Sequence, residues 1–194
     1  MKKKLLFLIP LFLIFTQCKK DDDEPEYVVR EYSDQVNVDH QLIEDYLRTH
    51  TFNYEDFNNQ INIDIKIDTL TEKNSSKQSL YDLANIKTID VVDSNGNNVT
   101  HNLYYIIARE GINEKPSVAD SVYITYNGLL TDGYVFDNRK FPIWLDLANS
   151  LEGFREGVSE LRTGSFTENS NGTISFNSFG VGIFIMPSGI AYFE

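Results

Sequence analysis

Cysteine is almost missing from this 194-residue chain: Cys18 stands alone. A single thiol cannot close an intramolecular disulfide, so no cross-linked scaffold is expected. Histidine is as scarce, and His40, His50 and His101 lie too far apart in sequence for the short spacings of a zinc site. They read as solvated surface side chains, and neither metal nor cofactor is expected. Basic residues are outnumbered, 17 Lys and Arg against 29 Asp and Glu, which leaves a formal net charge of -12 and a pI near 4.6. Nucleic acid or an anionic membrane surface would call for clustered Lys and Arg, so no nucleic-acid partner is expected. Long apolar runs are missing too: Leu5 to Phe15 is too short for a spanning helix, which takes about 20 residues. What remains, 41% hydrophobic and 13% aromatic residues, suits one sizeable packed domain and a small one.

The opening "MKKKLLFLIPLFLIFTQCKKDDDEPE" puts Lys2, Lys3 and Lys4 ahead of that apolar run, the order of an export signal, here residues 1–17. Cys18 follows it and resembles the lipidated cysteine of bacterial lipoproteins. The resemblance implies a membrane partner through a lipid anchor at Cys18. Residues 18–26, "CKKDDDEPE", are charged and contain a proline, so they read as a solvated tether. The Lys-acidic run also resembles the tag that directs some lipoproteins to the outer face of the outer membrane, so a cell-envelope location with surface display is the expectation.

Residues 27–100 change texture and read as a small α+β accessory region. In "DHQLIEDYLRTH", Leu42, Ile43, Tyr46 and Leu47 fall on one helical face with Asp39 as N-cap. "INIDIKID" alternates Ile61, Ile63, Ile65 and Ile67 with polar residues, the period of a half-buried strand. "TEKNSSKQS" reads as loop, and Asn95-Gly96 between two apolar runs predicts a tight hairpin. Nothing here pairs a nucleophile with a base.

From residue 101 onward the signals are denser. "LYYIIAREG" reads as a strand, "INEKPSVAD" as a polar loop, and "SVYITYNGLLTDGYVFD" as two strands about a Thr-Asp-Gly turn. "NRKFPIWLDL" predicts a further strand. "SLEGFREGVSELRTG" predicts a short helix with Phe154, Val158 and Leu161 on one face and Gly164 at its end. "SFTENSNGTISFNSFG" is rich in Asn, Ser and Gly and reads as a surface hairpin or loop, and "GVGIFIMPSGIAYF" as a strand running into a Pro-Ser-Gly loop.

Taken in order, Tyr126 and Gly128; Asp132, Gly133, Phe136 and Asp137; Ile143 to Leu147; Gly153, Phe154, Glu156 and Gly157; Gly164; and Pro187, Ala191 and Tyr192 resemble the FKBP-type peptidyl-prolyl cis-trans isomerases. Each piece alone is a common turn or strand, and the order in register is what carries the likeness. The resemblance implies an α+β fold, an antiparallel twisted β-sheet wrapped on a short α-helix, over residues 101–194. It also implies a chain that stops before the last loop and strand of the family, leaving a sheet edge unpaired.

Rotating a peptide bond costs ~18–20 kcal/mol, and X-Pro bonds isomerise unaided over tens to hundreds of seconds. No proton or nucleophile is needed to speed this. An aromatic pocket that strips water from the amide and hydrogen-bonds its twisted form suffices. The resemblance implies that Tyr126, Phe136, Ile143, Phe154 and Tyr192 line such a pocket. Leu151 would offer its backbone N–H, Tyr192 its hydroxyl, and Asp137 a polar wall. Phe154 departs from the family's usual Trp, which implies a pocket of altered depth. Phe136 and Ile143 would equally be buried in any β fold, and Asp137 would equally suit a turn. Proline-containing polypeptides are the partners implied, bound with turnover in an isomerase, or without it in a binding module.

Overall fold

The computed structural model describes residues 32–58 and 64–192. The expected export signal, Cys18, the expected tether, and Ile61 and Ile63 of the alternating run lie outside the described residues. The first element, α1 (Tyr32–Thr49), leads through β1 (His50–Phe52) to a 3-10 turn over Tyr54–Asn58. There follow β2 (Ile67–Thr69), α2 (Leu80–Leu83), β3 (Asn85–Val92), β4 (Asn98–Arg109), β5 (Ser121–Leu129) and β6 (Val135–Asp146). The remainder is α3 (Glu152–Val158), β7 (Ser165–Glu168), β8 (Ile174–Asn177), β9 (Val181–Ile185) and a 3-10 turn over Ser188–Ile190. No described helix is long and apolar enough to cross a membrane.

Every strand pair is antiparallel. The centre is a three-stranded sheet in the order β3-β4-β9, and β4 carries the core on both faces. Tyr104 and Ile106 join Ile43, Leu47, Phe52, Phe57, Leu80 and Ile183 in one cluster. Leu103, on the opposite face, joins Ile89 and Ile190. Burial on both sides explains why "LYYII" is continuously apolar instead of alternating. α1, β1 and α2 cover the first face; α3 and the 188–190 turn lie against the second, where Gly157 leaves room for the Phe184 ring. The helix is pinned to β3 by Lys87, whose Nζ lies 2.7 Å from Glu160 and 3.0 Å from Glu156.

Three hairpins share one loop design. Ser94-Asn95-Gly96, Thr131-Asp132-Gly133 and Ser170-Asn171-Gly172 each end on a glycine with positive φ, at 86°, 88° and 79°. This is a type I turn closed by a left-handed residue, a geometry that glycine adopts without a Cβ penalty.

Several expectations need correction. The border expected between residues 100 and 101 falls inside β4, which pairs with β3 from Asn85↔Tyr105 to Val92↔Asn98. The accessory region therefore contributes a strand to the central sheet. The antiparallel architecture with few helices is FKBP-like, but the strands form separate ladders instead of one continuous sheet. β4 already has both edges paired, and among the described residues no ladder joins β5–β6 to β3 or β9. The β5–β6 hairpin is docked by its side chains instead. "YVFD" and "NRKFPIWLD" are one strand, β6, bent by a bulge where the pairing shifts from Ile124↔Ile143 to Tyr126↔Arg139. Pro142 sits in that bulge, where its missing N–H costs no ladder bond. α3 ends at Val158, and Gly164 serves instead a close approach, since a Cβ there would lie 2.4 Å from the Asn177 carbonyl oxygen. Of "INIDIKID", only Ile67 and Asp68 belong to a described strand, but Ile65 and Ile67 do pack on the core while Asp64, Lys66 and Asp68 face outward.

α1 differs most from its expected form. It begins at Tyr32, so Asp39 is a mid-helix residue and not its N-cap. Ile43 and Leu47 are buried, whereas Leu42 is 59% exposed. His101 is not a surface residue either: it is 1% exposed, facing α1 from β4.

Candidate active site

The β5–β6 hairpin supplies one wall. Along β5, Val122, Ile124, Tyr126 and Gly128 are half-buried and alternate with exposed Ser121, Tyr123, Thr125 and Asn127. Tyr126 donates its hydroxyl hydrogen to Asp137 Oδ2 at 2.5 Å, and Arg139 Nη1 donates to Asp137 Oδ1 at 2.9 Å. Both partners of Asp137 come from the hairpin itself, through the pairs Gly128↔Asp137 and Tyr126↔Arg139. Gly128 has no side chain because the Phe136 ring lies across it; a Cβ there would come within 2.7 Å of Phe136 Cζ.

α3 supplies the second wall. The Phe154 ring meets the Tyr126 ring edge to face, with centroids 5.6 Å apart. Gly153 lets the start of this helix press on Met186 and Ile190, where a Cβ would sit 2.9 Å from each. Leu151 is the N-cap of α3, and among the described residues its backbone N–H has no acceptor. The third wall is the segment after β9. Tyr192 leaves the 188–190 turn with its ring edge on Phe136 at 5.9 Å. Phe136 and Tyr192 remain 46% and 60% exposed.

The structure thus brings Tyr126, Phe136, Asp137, Phe154 and Tyr192 together from three parts of the chain. Ile143 shares the half-buried face of the hairpin, opposite Ile124. Leu151 stands at the helix start, its backbone donor without an acceptor among the described residues. Arg139 escaped the sequence reading; the signal for it is its pairing position opposite Tyr126, two residues after Asp137 on β6, and that depends on the bulge.

The Tyr126 hydrogen bond, aided by Arg139, holds the Asp137 carboxyl below the usual carboxylate range. The same bond, with some burial and the negative charge of Asp137, raises the Tyr126 phenol. The pair is therefore an ionised acceptor and a neutral donor across the physiological range. Nothing here supplies a nucleophile or a proton relay. The cluster offers apolar ring faces, a Tyr126 hydroxyl fixed by Asp137, the exposed Tyr192 side chain and a backbone N–H at Leu151 with no acceptor among the described residues.

Beneath the 188–190 turn, burial above all lowers the His101 pKa, His40 adds to this, and Asp39 opposes it. His101 Nδ1 is buried without a partner. An unfolded chain binds the His101 proton near pH 6.5, whereas the folded chain binds it only at lower pH. Between those limits the unfolded state holds more protons, so stability rises with pH and is fully present above about 6.5. Urea midpoints measured from pH 5 to 8 are expected to climb to about 6.5 and then level, with His101→Asn flattening the climb. The carboxylates held low, Asp82, Asp93, Asp137 and Glu160, act in a separate window below their ordinary values.

The antiparallel sheets with few helices are compatible with the FKBP-like fold expected from the sequence, and parts of the chain are similar to two proteins named as FKBP-type isomerases. The chain is 33% identical over 95 residues to a probable FKBP-type peptidyl-prolyl cis-trans isomerase FkpA of Neisseria meningitidis serogroup B, a match covering 47% of this chain and 29% of that protein. It is 29% identical over 142 residues to the FKBP-type peptidyl-prolyl cis-trans isomerase FkpA of Aeromonas hydrophila, covering 68% of this chain and 46% of that protein. The chain thus spans less than half the length of either relative. No family model and no solved structure matches it.

Proposed function

We propose that the chain is a peptidyl-prolyl cis-trans isomerase of the cell envelope, lipid-anchored through Cys18, that acts on proline-containing stretches of exported polypeptides. The observation that carries the reading is the convergence of Phe136, Phe154 and Tyr192 around the Tyr126–Asp137 pair. A proline ring seated on these rings gives up water around its amide, and the planar ground state loses part of its solvation advantage. The Leu151 N–H and the Tyr192 hydroxyl are donors for substrate carbonyls. Donors that fit the twisted amide better than the planar one lower the barrier, with no bond made or broken. Support for the activity comes from the names of the two relatives. The envelope location and outward display rest on the Lys2–Phe15 signal pattern and the acidic tether. Mass of the mature protein from its native host, with a diacylglyceryl group on Cys18, is the expected result for the anchor.

The exposure of Phe136 and Tyr192 favours a second reading, a module that holds proline-containing partners without turnover. Isomerisation of a proline tetrapeptide by micromolar full-length chain separates the two. Acceleration over the spontaneous rate is expected, and Phe136→Ala should cut kcat/KM by roughly tenfold to a hundredfold, matching the ~1.5–3 kcal/mol of apolar burial a Phe supplies. Peptide binding at the spontaneous rate would establish the second reading, and a spontaneous rate without binding would remove both.

A further inference from the structure

We propose that Asp39, on α1, is a positioning residue for the aromatic cluster: it fixes the Ser188–Ile190 turn and so sets where Tyr192 stands. The proposal rests on the isomerase reading for its kinetic consequence and on geometry alone for the latch.

Asp39 is far from Tyr192 in sequence and belongs to no part of the sheet. Yet Ser188 donates to Asp39 Oδ2 twice, from its backbone N–H at 2.8 Å and from its hydroxyl at 2.5 Å. Gln35 Nε2 donates to the other oxygen, Oδ1, at 2.6 Å. Both carboxylate oxygens are thereby engaged, in charge-assisted bonds that are stronger than neutral ones. One helical face below, the Tyr32 hydroxyl reaches Gly189 O at 3.3 Å and His101 Nε2 at 2.9 Å. The Tyr32 hydroxyl thus ties both the turn and the buried imidazole to α1.

The turn is held tightly enough to exclude a side chain at Gly189, where a Cβ would lie 2.3 Å from His101 Cε1 and 2.5 Å from the Tyr32 oxygen. On its other side Ile190 is 2% exposed, sunk between Ile89 and Leu103. The turn is therefore a wedge between α1 and the start of α3. Tyr192 projects from it, 60% exposed, against the exposed ring of Phe136. A side chain so exposed takes its position from the backbone that carries it, and that backbone is tied to α1 through Ser188.

The test compares Asp39→Ala, Asp39→Asn and Ser188→Ala in the full chain. Amide hydrogen exchange and proline-tetrapeptide kinetics are the two readouts. In Asp39→Ala, amides 188–192 are expected to exchange at least tenfold faster while those of β3 and β4 keep their wild-type rates. KM should rise, and kcat/KM should fall by roughly tenfold, short of the ~10²-fold that a 1 Å misplacement costs. Asp39→Asn, which keeps an acceptor, should recover part of both effects, and Ser188→Ala, which keeps the backbone donor, should show a smaller version. Unchanged exchange in the turn, or a uniform rise across β3 and β4 with no rescue by Asn, would overturn the latch. A wild-type chain that leaves peptides at their spontaneous rate would instead overturn the isomerase reading, and the exchange data would still decide the latch.

Discussion

Replacing Asp137 by alanine is expected to lower kcat/KM for a proline peptide about 10²-fold, the scale on which misplacing a reacting group by 1 Å acts. The carboxylate holds two side chains at once, Tyr126 through Oδ2 and Arg139 through Oδ1. Without it the Tyr126 ring loses the bond that fixes its angle against Phe154, and the Arg139 guanidinium loses its counter-charge. Asp137→Asn keeps one acceptor for the phenol and should retain more activity than Asp137→Ala.

Stability should hardly follow. The Asp137 side chain is 33% exposed and its ion pair with Arg139 lies at the surface, where such pairs contribute about 0–1 kcal/mol. A thermal midpoint within a few degrees of wild type is therefore expected, at about 2–4 °C per kcal/mol for a chain of this size. The pH profile adds a check. Asp137 is held below, and Tyr126 above, its ordinary value, so the pair should leave kcat/KM flat between about pH 5 and 9. An Asp137→Ala chain with wild-type kcat/KM and an unchanged midpoint would remove Asp137 from the working site.

The hairpin and short helix that carry this cluster were legible in the sequence because their signals are local, whereas the choice of Tyr126, Phe136, Asp137, Ile143, Leu151, Phe154 and Tyr192 came from the resemblance to the FKBP type. Tyr126, Phe136 and Asp137 lie on one hairpin whose turn is announced by Thr131-Asp132-Gly133, and alternation along the strand puts Tyr126 on the inner face. Phe154 and Leu151 stand at the start of the short helix that the spacing predicts. What the sequence could not show depends on contacts between distant segments. Asp39 looked like a helix N-cap because Asp is favoured there, and the backbone of a mid-helix position leaves no mark in the residues around it. His101 looked like a surface residue because its burial arises from Tyr32 and Gly189, which are remote in sequence. The partition at residue 100 failed for a related reason. Composition changes there, but strand pairing joins residues on both sides of the change.

That shared sheet has a measurable consequence in Leu47→Ala, expected to cost about 2–5 kcal/mol, the range for emptying a fully buried leucine site. Leu47 is on α1 and 0% exposed, enclosed by Ile43, Phe52, Phe57 and Leu80 from the accessory region and by Tyr104, Ile106 and Ile183 from β4 and β9. Tyr104 and Ile106 belong to the same strand as Leu103, whose neighbours Ile89 and Ile190 support the second face. Loss at Leu47 is thus felt by the strand that organises both cores. One cooperative transition, lowered by roughly 5–15 °C and coincident by far-UV dichroism and Trp144 fluorescence, is the expected result. Leu42→Ala, one position from Ile43 but 59% exposed, should change stability by no more than about 0.5 kcal/mol and so control for helix propensity. Two separated transitions, with only the earlier one moved by Leu47→Ala, would mean that α1 and its neighbours melt independently of the sheet. The single transition follows from the packing because no boundary surface between two cores exists at β4: the strand's own side chains are divided between them.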